Sequence, residues 1–126
     1  MKRILIIDDD VVIRIAFDKL LKKNRDYIID KANDVGKAVE LMRNKMYNLI
    51  LLDLKLPTKG WKGGYEILKR KKKLPFNVDT PVIIVSGEHN EQSIKSNIAE
   101  EDNIAGIFIK PVENEDLLKR VMEILQ

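Results

Sequence analysis

The sequence predicts an α/β domain in which a five-stranded parallel sheet is covered by helices on both faces. Five short apolar segments recur along the chain, and stretches with helical spacing of apolar residues separate them. The third apolar segment, Leu49–Leu52, is hydrophobic at every position, which is typical of a strand buried on both sides. Alternating strands and helices form parallel sheets through right-handed crossovers. Five consecutive βα units, without a linker or an internal repeat, therefore predict one doubly wound sheet.

The composition is that of an ordinary single domain. The chain has 126 residues, of which 44% are hydrophobic and 34% are charged, and it contains no cysteine. The absence of cysteine excludes disulfide scaffolds, thiolate metal sites and cysteine nucleophiles. No apolar stretch approaches the ~20 residues of a membrane span, and the N-terminus lacks the pattern of a signal peptide. We therefore expect one domain, residues 1–126, that acts in the cytoplasm without membrane contact.

The positive charge is unevenly distributed. The formal net charge is +3, and five consecutive cations occupy Lys69–Lys73. Cations suit the C-terminal end of a helix, so a solvated helix end is the simpler interpretation. A contact surface for acidic partners is the alternative. Because no aromatic residues are interleaved with these cations, the pattern does not favour direct binding of single-stranded nucleic acid.

The first two βα units follow from apolar spacing and helix caps. Ile4–Ile7 is the predicted first strand, and Asp10 is the predicted N-cap of the first helix. Tyr27–Ile29 predicts a weaker strand at an edge of the sheet, and Asn33 and Asp34 offer caps for the second helix. The apolar residues at helical spacing are Val12, Ile13, Ala16, Phe17, Leu20 and Leu21 in the first helix, and Val35, Ala38, Val39, Leu41 and Met42 in the second.

The last three units are less uniform. A glycine-rich loop over residues 58–64 follows the third strand and leads to a helix that ends in the basic run. The segment from Asn90 to Glu101 predicts a polar helix with few apolar positions. The other predicted elements are a fourth strand at Val82–Val85, a fifth strand at Gly106–Ile109 and a last helix from Asn114 to Leu125.

Charged and polar side chains stand where the predicted strands end. These residues are Asp8, Asp9 and Asp10 after the first strand, Asp53 after the third, Ser86 after the fourth and Lys110 after the fifth. Parallel strands bring their carboxyl ends to one edge of the sheet, where ligands bind in such folds. Clustered carboxylates call for a hard divalent cation, and the ammonium and hydroxyl can donate to anionic oxygens. The pattern predicts a magnesium-dependent site that holds a phosphoryl group on one carboxylate.

Four motifs give the chain a family resemblance. They are Ile6–Asp10, Leu51–Pro57, Val85–Gly87 and Ile109–Pro111. With these motifs the chain resembles the response-regulator receiver domains of two-component phosphorelay systems, from Lys2 to about Leu125. The resemblance implies a flavodoxin-like receiver fold with strand order 2-1-3-4-5.

The same resemblance implies roles for the site residues. Asp53 would be the phosphoacceptor and would receive its phosphoryl group from a histidine kinase or a histidine phosphotransfer protein. Ser86 and Lys110 would contact the phosphoryl oxygens. Mg²⁺, with Mn²⁺ as a substitute, would be the cofactor, and Asp8 would act largely through a bound water. The predicted metal ligands are Asp8, Asp9, Asp53 and, through its backbone carbonyl, Lys55.

The resemblance also implies a signalling output. Phosphorylation would change the surface of the fourth and fifth βα units and thereby control a protein effector, with the protein a monomer or weak dimer. Such a domain is not an enzyme beyond its own phosphorylation and dephosphorylation. A degenerate receiver that binds partners without phosphorylation is the alternative. Both a stand-alone receiver and a receiver cut from a longer protein fit the sequence.

Two other functions fit the sequence poorly. A hydrolase with an aspartyl nucleophile would need a second carboxylate two residues after the nucleophile, where this chain has Lys55. A nucleotide or flavin carrier would need a phosphate loop after the first strand, where the carboxylates of Asp8–Asp10 would repel phosphate.

Three features depart from the family pattern. Ile107 stands where the family usually has an aromatic residue that couples to the hydroxyl residue, so a rearrangement of the helix after Ser86 is the expected substitute. The loop after Pro57 is longer than usual and contains Trp61, either an interface anchor or a residue folded onto the local surface. Lys55 and Glu88 are placed to pair across the mouth of the site.

Overall fold

The computed structural model describes residues 1–24, 26–58, 62–87 and 90–126. In these residues strands alternate with helices. The strands are β1 (Lys2–Ile7), β2 (Tyr27–Ala32), β3 (Leu49–Leu52), β4 (Val82–Ser86) and β5 (Ile104–Ile109), and the α-helices are α1 (Val11–Leu21), α2 (Val35–Asn44), α3 (Gly63–Lys71), α4 (Glu91–Ser96) and α5 (Asn114–Leu125). None of the helices in the described ranges combines the length and hydrophobicity of a transmembrane segment.

All five strands pair in parallel, in the order β2-β1-β3-β4-β5. This order confirms the predicted doubly wound sheet and places β2 at an edge. The chain moves outward from β1 to β2 and then crosses back to β3 on the other side of β1. The carboxyl ends of β1 and β3 therefore lie side by side at the point where the winding reverses, which is where such sheets bind ligands.

Alternate side chains of the central strands enter two separate cores. On one face, Ile4 and Ile6 of β1 pack with the apolar stripes of α1 and α5. On the other face, Leu5 and Ile7 pack with α2, α3 and the single buried residue of α4, Ile94. Because both faces of β1 are covered, the strand is apolar at every one of these positions.

The predicted N-cap Asp10 is confirmed, and Asp34 is the cap among the two candidates for the second helix. The Asp10 carboxylate accepts a hydrogen bond from the Val12 N–H at 2.9 Å, and the Asp34 carboxylate accepts one from the Lys37 N–H at 2.7 Å. Each cap satisfies a backbone donor that the first turn of a helix leaves unpaired. The cap at Asp10 fixes where the chain turns from β1 into α1, directly beside Asp8 and Asp9.

The fourth helix is shorter than the prediction of a helix from Asn90 to Glu101. It ends at Ser96, and a separate 3-10 turn follows at Glu100–Asp102. With only Ile94 buried, α4 has too little apolar surface against the sheet to extend further. The fifth strand begins at Ile104, two residues earlier than predicted, because Ile104 pairs with Val82.

A buried amide joins two loops at the opposite edge of the sheet, where the strands begin. Asn77 is fully buried, and its side-chain NH₂ donates to the carbonyl oxygens of Met42 (2.6 Å) and Lys45 (2.7 Å). Its carbonyl oxygen accepts from the Tyr47 N–H (2.9 Å) and lies 3.0 Å from the Thr80 hydroxyl. We call this arrangement the Asn77 clasp. It fixes the loop after α2 to the loop before β4.

We expect Asn77→Ala to lower the free energy of unfolding by on the order of 3 kcal/mol, because it leaves buried donors and acceptors without partners. Urea denaturation monitored by circular dichroism measures the change. Asn44→Ala is the matched control, since the Asn44 amide makes one exposed hydrogen bond, to the Glu40 carbonyl. Equal losses of stability in the two variants would contradict a special role for the clasp.

Candidate functional site

The site begins with the backbone register at the carboxyl edge. Ile7 of β1 is paired with Leu52 of β3, so Asp8 and Asp53 each follow a paired residue. The Asp53 N–H donates to the Ile7 carbonyl at 2.9 Å, which extends the pairing to the first residue after β3. Two carboxylates are thereby held next to each other by the sheet itself.

Asp9 completes a cluster of three carboxylates. Asp8, Asp9 and Asp53 each offer one carboxylate oxygen, and these oxygens all lie within 4.8 Å of one another. Asp8 and Asp53 are only 2% and 4% exposed, whereas Asp9 is open to solvent. The cluster thus has a buried floor and an accessible mouth, which suits a site that exchanges ions or small groups with solvent.

Lys110 brings one positive charge to the cluster. Its ammonium lies 2.8 Å from Asp8 Oδ2 and 3.4 Å from Asp53 Oδ2. Burial alone would lower the pKa of Lys110, but the hydrogen bond and charge of Asp8, together with Asp53, outweigh it and raise the pKa. Lys110 is therefore a cation in the site, and the three carboxylates with one ammonium leave a formal charge of −2.

The two buried carboxylates are not equivalent. Burial is the main cause that raises the pKa of Asp53, and the charge of Asp8 raises it further, against the opposing effect of Lys110. Asp8 is held by two donors, the Lys110 ammonium and the Asp10 N–H at 2.9 Å. Asp53 accepts a hydrogen bond from the Lys55 N–H at 3.1 Å and has only the longer contact with Lys110. Asp53 is thus the less stabilised of the two anions.

Ser86 lies at the end of β4, beside β3, and is fully buried. It is paired with Ile109 of β5, and its carbonyl accepts a hydrogen bond from the Lys110 N–H at 2.8 Å. This backbone hydrogen bond links Ser86, whose hydroxyl is predicted to contact the phosphoryl group, directly to Lys110, whose ammonium is predicted to do the same. A movement of either residue is expected to be transmitted to the other.

The loop after Asp53 is packed tightly against the start of α3. The Gly64 N–H donates to the Leu54 carbonyl at 3.0 Å. A Cβ atom at Gly64 would lie 2.4 Å from the Leu54 Cα and 2.6 Å from the Asp53 carbonyl oxygen. Only glycine fits this close approach, so Gly64 helps to fix the position of Asp53 and of Lys55, whose side chain is exposed.

Arg14 also contacts the site, through the backbone of Asp8, and the sequence did not predict this contact. Its guanidinium donates from Nη1 to the Asp8 carbonyl at 2.7 Å. The only hint in the sequence is its position one turn after the Asp10 cap, which does not distinguish it from any exposed helical arginine. Trp61 and Glu88 lie outside the described residues, so the hypotheses on Trp61 and on a Lys55–Glu88 pair stay predictions.

The chain belongs to the response regulator receiver domain family, whose sequence model matches residues 4–122. The structure is similar to the crystal structure of a CheY-like response regulator receiver domain protein from Methanospirillum hungatei. The two have a TM-score of 0.82 and 31% sequence identity, over 99% of this chain and 94% of that one. The predicted family and fold are thereby confirmed.

Several curated proteins are related in sequence. The chain is 29% identical over 120 residues to the transcriptional regulatory protein DltR of Streptococcus agalactiae, covering 94% of this chain and 50% of that protein. It is 23% identical over 120 residues to the CAI-1 autoinducer sensor kinase/phosphatase CqsS of Vibrio cholerae, covering 95% of this chain and 17% of that protein. The chain thus spans half or less of the length of these two relatives.

A shorter relative is covered more fully. The chain is 32% identical over 87 residues to sporulation initiation phosphotransferase F of Bacillus subtilis, covering 69% of this chain and 67% of that protein. In two of these relatives the match is therefore one part of a longer protein, and in the third it covers two thirds of the protein.

We expect Asp53→Asn to increase the free energy of unfolding at neutral pH in the presence of a chelator, by about 0.5–2 kcal/mol, the usual size of a single stabilising change. The folded state raises the pKa of Asp53, so it binds the proton more tightly than the unfolded state, and ionisation destabilises the fold. The gain is expected to shrink as the pH falls through the raised pKa and to vanish below the unfolded value of about 3.9.

Urea denaturation of the natural sequence and of Asp53→Asn, from neutral pH to below the unfolded pKa of aspartate, measures the difference in the free energy of unfolding. Asp10→Asn is the control, because Asp10 is exposed and asparagine caps a helix as well as aspartate does. A stabilisation by Asp53→Asn that is independent of pH would contradict the proposed cause.

Proposed function

We propose that residues 1–126 form a receiver domain that acts as a phosphorylation-controlled switch, with Asp53 as the phosphoacceptor. The donor would be a phosphohistidine of a histidine kinase or histidine phosphotransfer protein. The observation that carries the proposal is the placement of the Lys110 ammonium against both buried carboxylates, Asp8 and Asp53, in an acidic cluster with an open mouth. The names of the relatives CqsS, a sensor kinase/phosphatase, and phosphotransferase F support phosphoryl chemistry.

The donor set fits a divalent cation. Three carboxylate oxygens lie within 4.8 Å of one another, and one ammonium leaves a formal charge of −2 that Mg²⁺ would neutralise. Oxygen ligands of this kind are those that Mg²⁺ prefers, and Mn²⁺ would substitute for it. The ion would be held by Asp8, Asp9, Asp53 and the carbonyl of Lys55. When bound, it would supply positive charge to balance the oxygens of the transferred phosphoryl group.

The protein's own residues would carry out the transfer as follows. A carboxylate oxygen of Asp53 attacks phosphorus, a P–O bond forms, the P–N bond of the donor breaks, and its electron pair returns to the imidazole. Lys110 and Ser86 donate to the phosphoryl oxygens. Water later cleaves the acyl phosphate, releases inorganic phosphate and restores the carboxylate. This chemistry changes the protein itself and does not turn over a metabolite, so we do not class the protein as an enzyme.

An exposed apolar face of α1 lies directly after the three aspartates. Val11, Val12 and Ile15 of α1 expose 54%, 68% and 46% of their surface. Exposed apolar groups clustered at the mouth of a polar site are typical of a partner contact. We propose that the donor protein covers this face of α1 when its phosphohistidine reaches Asp53.

The output surface would be that of α4, β5 and α5. Helix α4 has six residues with Ile94 as its one buried side chain, and every residue of β5 is only partly buried. Such weakly packed elements are the first to rearrange. Because the backbone links Ser86 to Lys110, movement of these residues toward a phosphoryl group would displace α4 and β5. Ile107 packs with the core on the α4 face, which supports helix rearrangement in place of an aromatic rotation.

We propose that the protein acts in the cytoplasm as a monomer or weak dimer, and that it controls a protein effector without binding nucleic acid directly. A degenerate receiver that is never phosphorylated is the competing function. The acidic cluster and Lys110 favour phosphorylation, since a module used only for binding has no need of two buried carboxylates that destabilise each other.

We expect acetyl phosphate with Mg²⁺ to add one phosphoryl group to the protein, detected by intact mass, and Asp53→Asn to abolish the addition because it removes the nucleophile. Asp10→Asn is the matched control and is expected to be labelled like the natural sequence, since Asp10 serves as the cap of α1. Omission of Mg²⁺ is expected to reduce labelling strongly. A natural sequence that takes up no phosphate under these conditions would establish the degenerate receiver instead.

We expect beryllofluoride with Mg²⁺, a stand-in for the phosphoryl group, to shift the backbone amide signals of the segment from Glu88 to Glu100, because α4 is the least packed helix. Two-dimensional NMR of isotopically labelled protein measures the shifts. Residues of α2 serve as the internal control and are expected to move little. Signals that stay unchanged across the α4 segment would contradict switching through this helix.

A further inference from the structure

An apolar patch lies at the edge of the sheet opposite Asp53. Met46, Phe76 and Val78 expose 69%, 55% and 39% of their surface and line a single hollow of about 260 Å³. Met46 lies between α2 and β3, and the other two residues lie between α3 and β4. All three thus precede strands, at the edge where the strands begin. We call these three residues the lower patch.

The lower patch is held on a rigid support. The Asn77 clasp bonds the loop that carries Met46 to the turn that carries Phe76, through fully buried hydrogen bonds. The Thr80 hydroxyl adds a contact of 3.1 Å to the Tyr47 carbonyl. Exposed apolar residues scattered singly are normal on protein surfaces. Here, however, three exposed apolar residues share one hollow on a fixed backbone. They form a preorganised binding surface, which reduces the entropy cost of binding.

Exposed cations lie at the ends of the two helices that lead into the lower patch. We call them the basic rim: Arg43 near the end of α2, and Arg70 and Lys73 at the end of α3. All three are exposed, and none forms an ion pair with another described residue. By contrast, Lys72 pairs with Asp102 at 3.1 Å. The helix dipole favours cations at these positions, but it does not account for the exposed apolar groups beside them.

One acidic residue, Asp79, also lines the hollow. Burial lowers the pKa of Lys71, and the negative charges of Asp102 and Asp79 oppose this shift, which places the Asp79 charge near a buried cation. The Asp79 carboxylate disfavours anions inside the hollow, so the hollow suits the apolar side chains of a ligand, and the acidic groups of that ligand belong at the basic rim. Duplex DNA has no apolar side chain to place in the hollow.

We propose that the lower patch and basic rim dock an acidic amphipathic segment of a partner protein. Apolar side chains of the segment would fill the hollow, and flanking aspartate or glutamate side chains would pair with the rim. Complementary charge of this kind speeds association and selects the partner. The proposal goes beyond the phosphorylation switch, since the surface lies at the other edge of the sheet from Asp53 and is fixed by the clasp.

The first test is a selection of random displayed peptides on the full chain, with counter-selection on the double variant Met46→Ser/Phe76→Ser. Both side chains are exposed, so the variant is expected to fold normally, as circular dichroism checks. Peptides that combine Asp or Glu with Phe, Leu or Ile support the proposal. A failure to enrich peptides over the double variant, or enrichment of peptides without acidic residues, would overturn it.

The second test measures the affinity of one selected peptide by fluorescence anisotropy. We expect Phe76→Ser to weaken binding about tenfold or more, as loss of a central aromatic anchor does. Lys73→Glu and Arg70→Glu are expected to weaken it severalfold, and added salt is expected to weaken it further. Met122→Ser and Lys119→Glu on α5 are the matched controls for an exposed apolar side chain and an exposed cation. Equal effects of the controls would refute the assigned surface.

Two further binding experiments test whether the lower patch binds a lipid surface or DNA instead of a peptide. Anionic phospholipid vesicles and duplex DNA are expected to bind no better to the natural sequence than to Met46→Ser/Phe76→Ser. Binding of either probe that this variant abolishes, with no acidic peptide selected, would overturn the proposal in favour of that probe. Labelling of Asp53 by acetyl phosphate is expected to be the same in both proteins. A large change in labelling would refute the independence of the two surfaces.

Discussion

The structure depends on the charge balance around two carboxylates that the sheet forces together. Asp8 and Asp53 follow paired residues of adjacent parallel strands, so their separation is set by backbone hydrogen bonds that the side chains cannot relax. Burial in this position disfavours two anions, and the ammonium of Lys110 compensates only in part. The remaining negative charge makes the site receptive to a divalent cation, and it is the source of the chemistry that we assign to Asp53.

The same balance connects the site to the rest of the fold. Lys110 reaches the carboxylates from the end of β5, and its N–H is bonded to the carbonyl of Ser86 at the end of β4. A change of charge at Asp53 therefore acts on two neighbouring strands at once. These strands lead into the most weakly packed part of the molecule, where α4 buries only Ile94. The buried strands β1 and β3 hold Asp53, the acceptor that we propose, and the more weakly packed half of the sheet is free to respond.

The two edges of the sheet differ in how they are stabilised. At the carboxyl edge, charged groups face one another and the loops are held by ion pairs and by the close approach of Gly64. At the opposite edge, the uncharged amide of Asn77 makes fully buried hydrogen bonds, and the apolar residues Met46 and Phe76 project outward from it. The first edge carries carboxylates and an ammonium, whose charge state can change. The clasp at the second edge consists of backbone groups, the Asn77 amide and the Thr80 hydroxyl, so its hydrogen bonds do not depend on the protonation of a side chain.

The sequence by itself determined the fold class, because apolar runs, helical stripes and the caps at Asp10 and Asp34 are local patterns with local physical causes. It also determined which side chains reach the carboxyl edge, since parallel strands share one direction. Only the tertiary structure decided the contacts of Arg14 with Asp8, the packing of Gly64 against Asp53 and the burial of Asn77. These contacts join segments that are far apart in the chain or depend on distances of a few ångströms, and residue spacing carries no information on either.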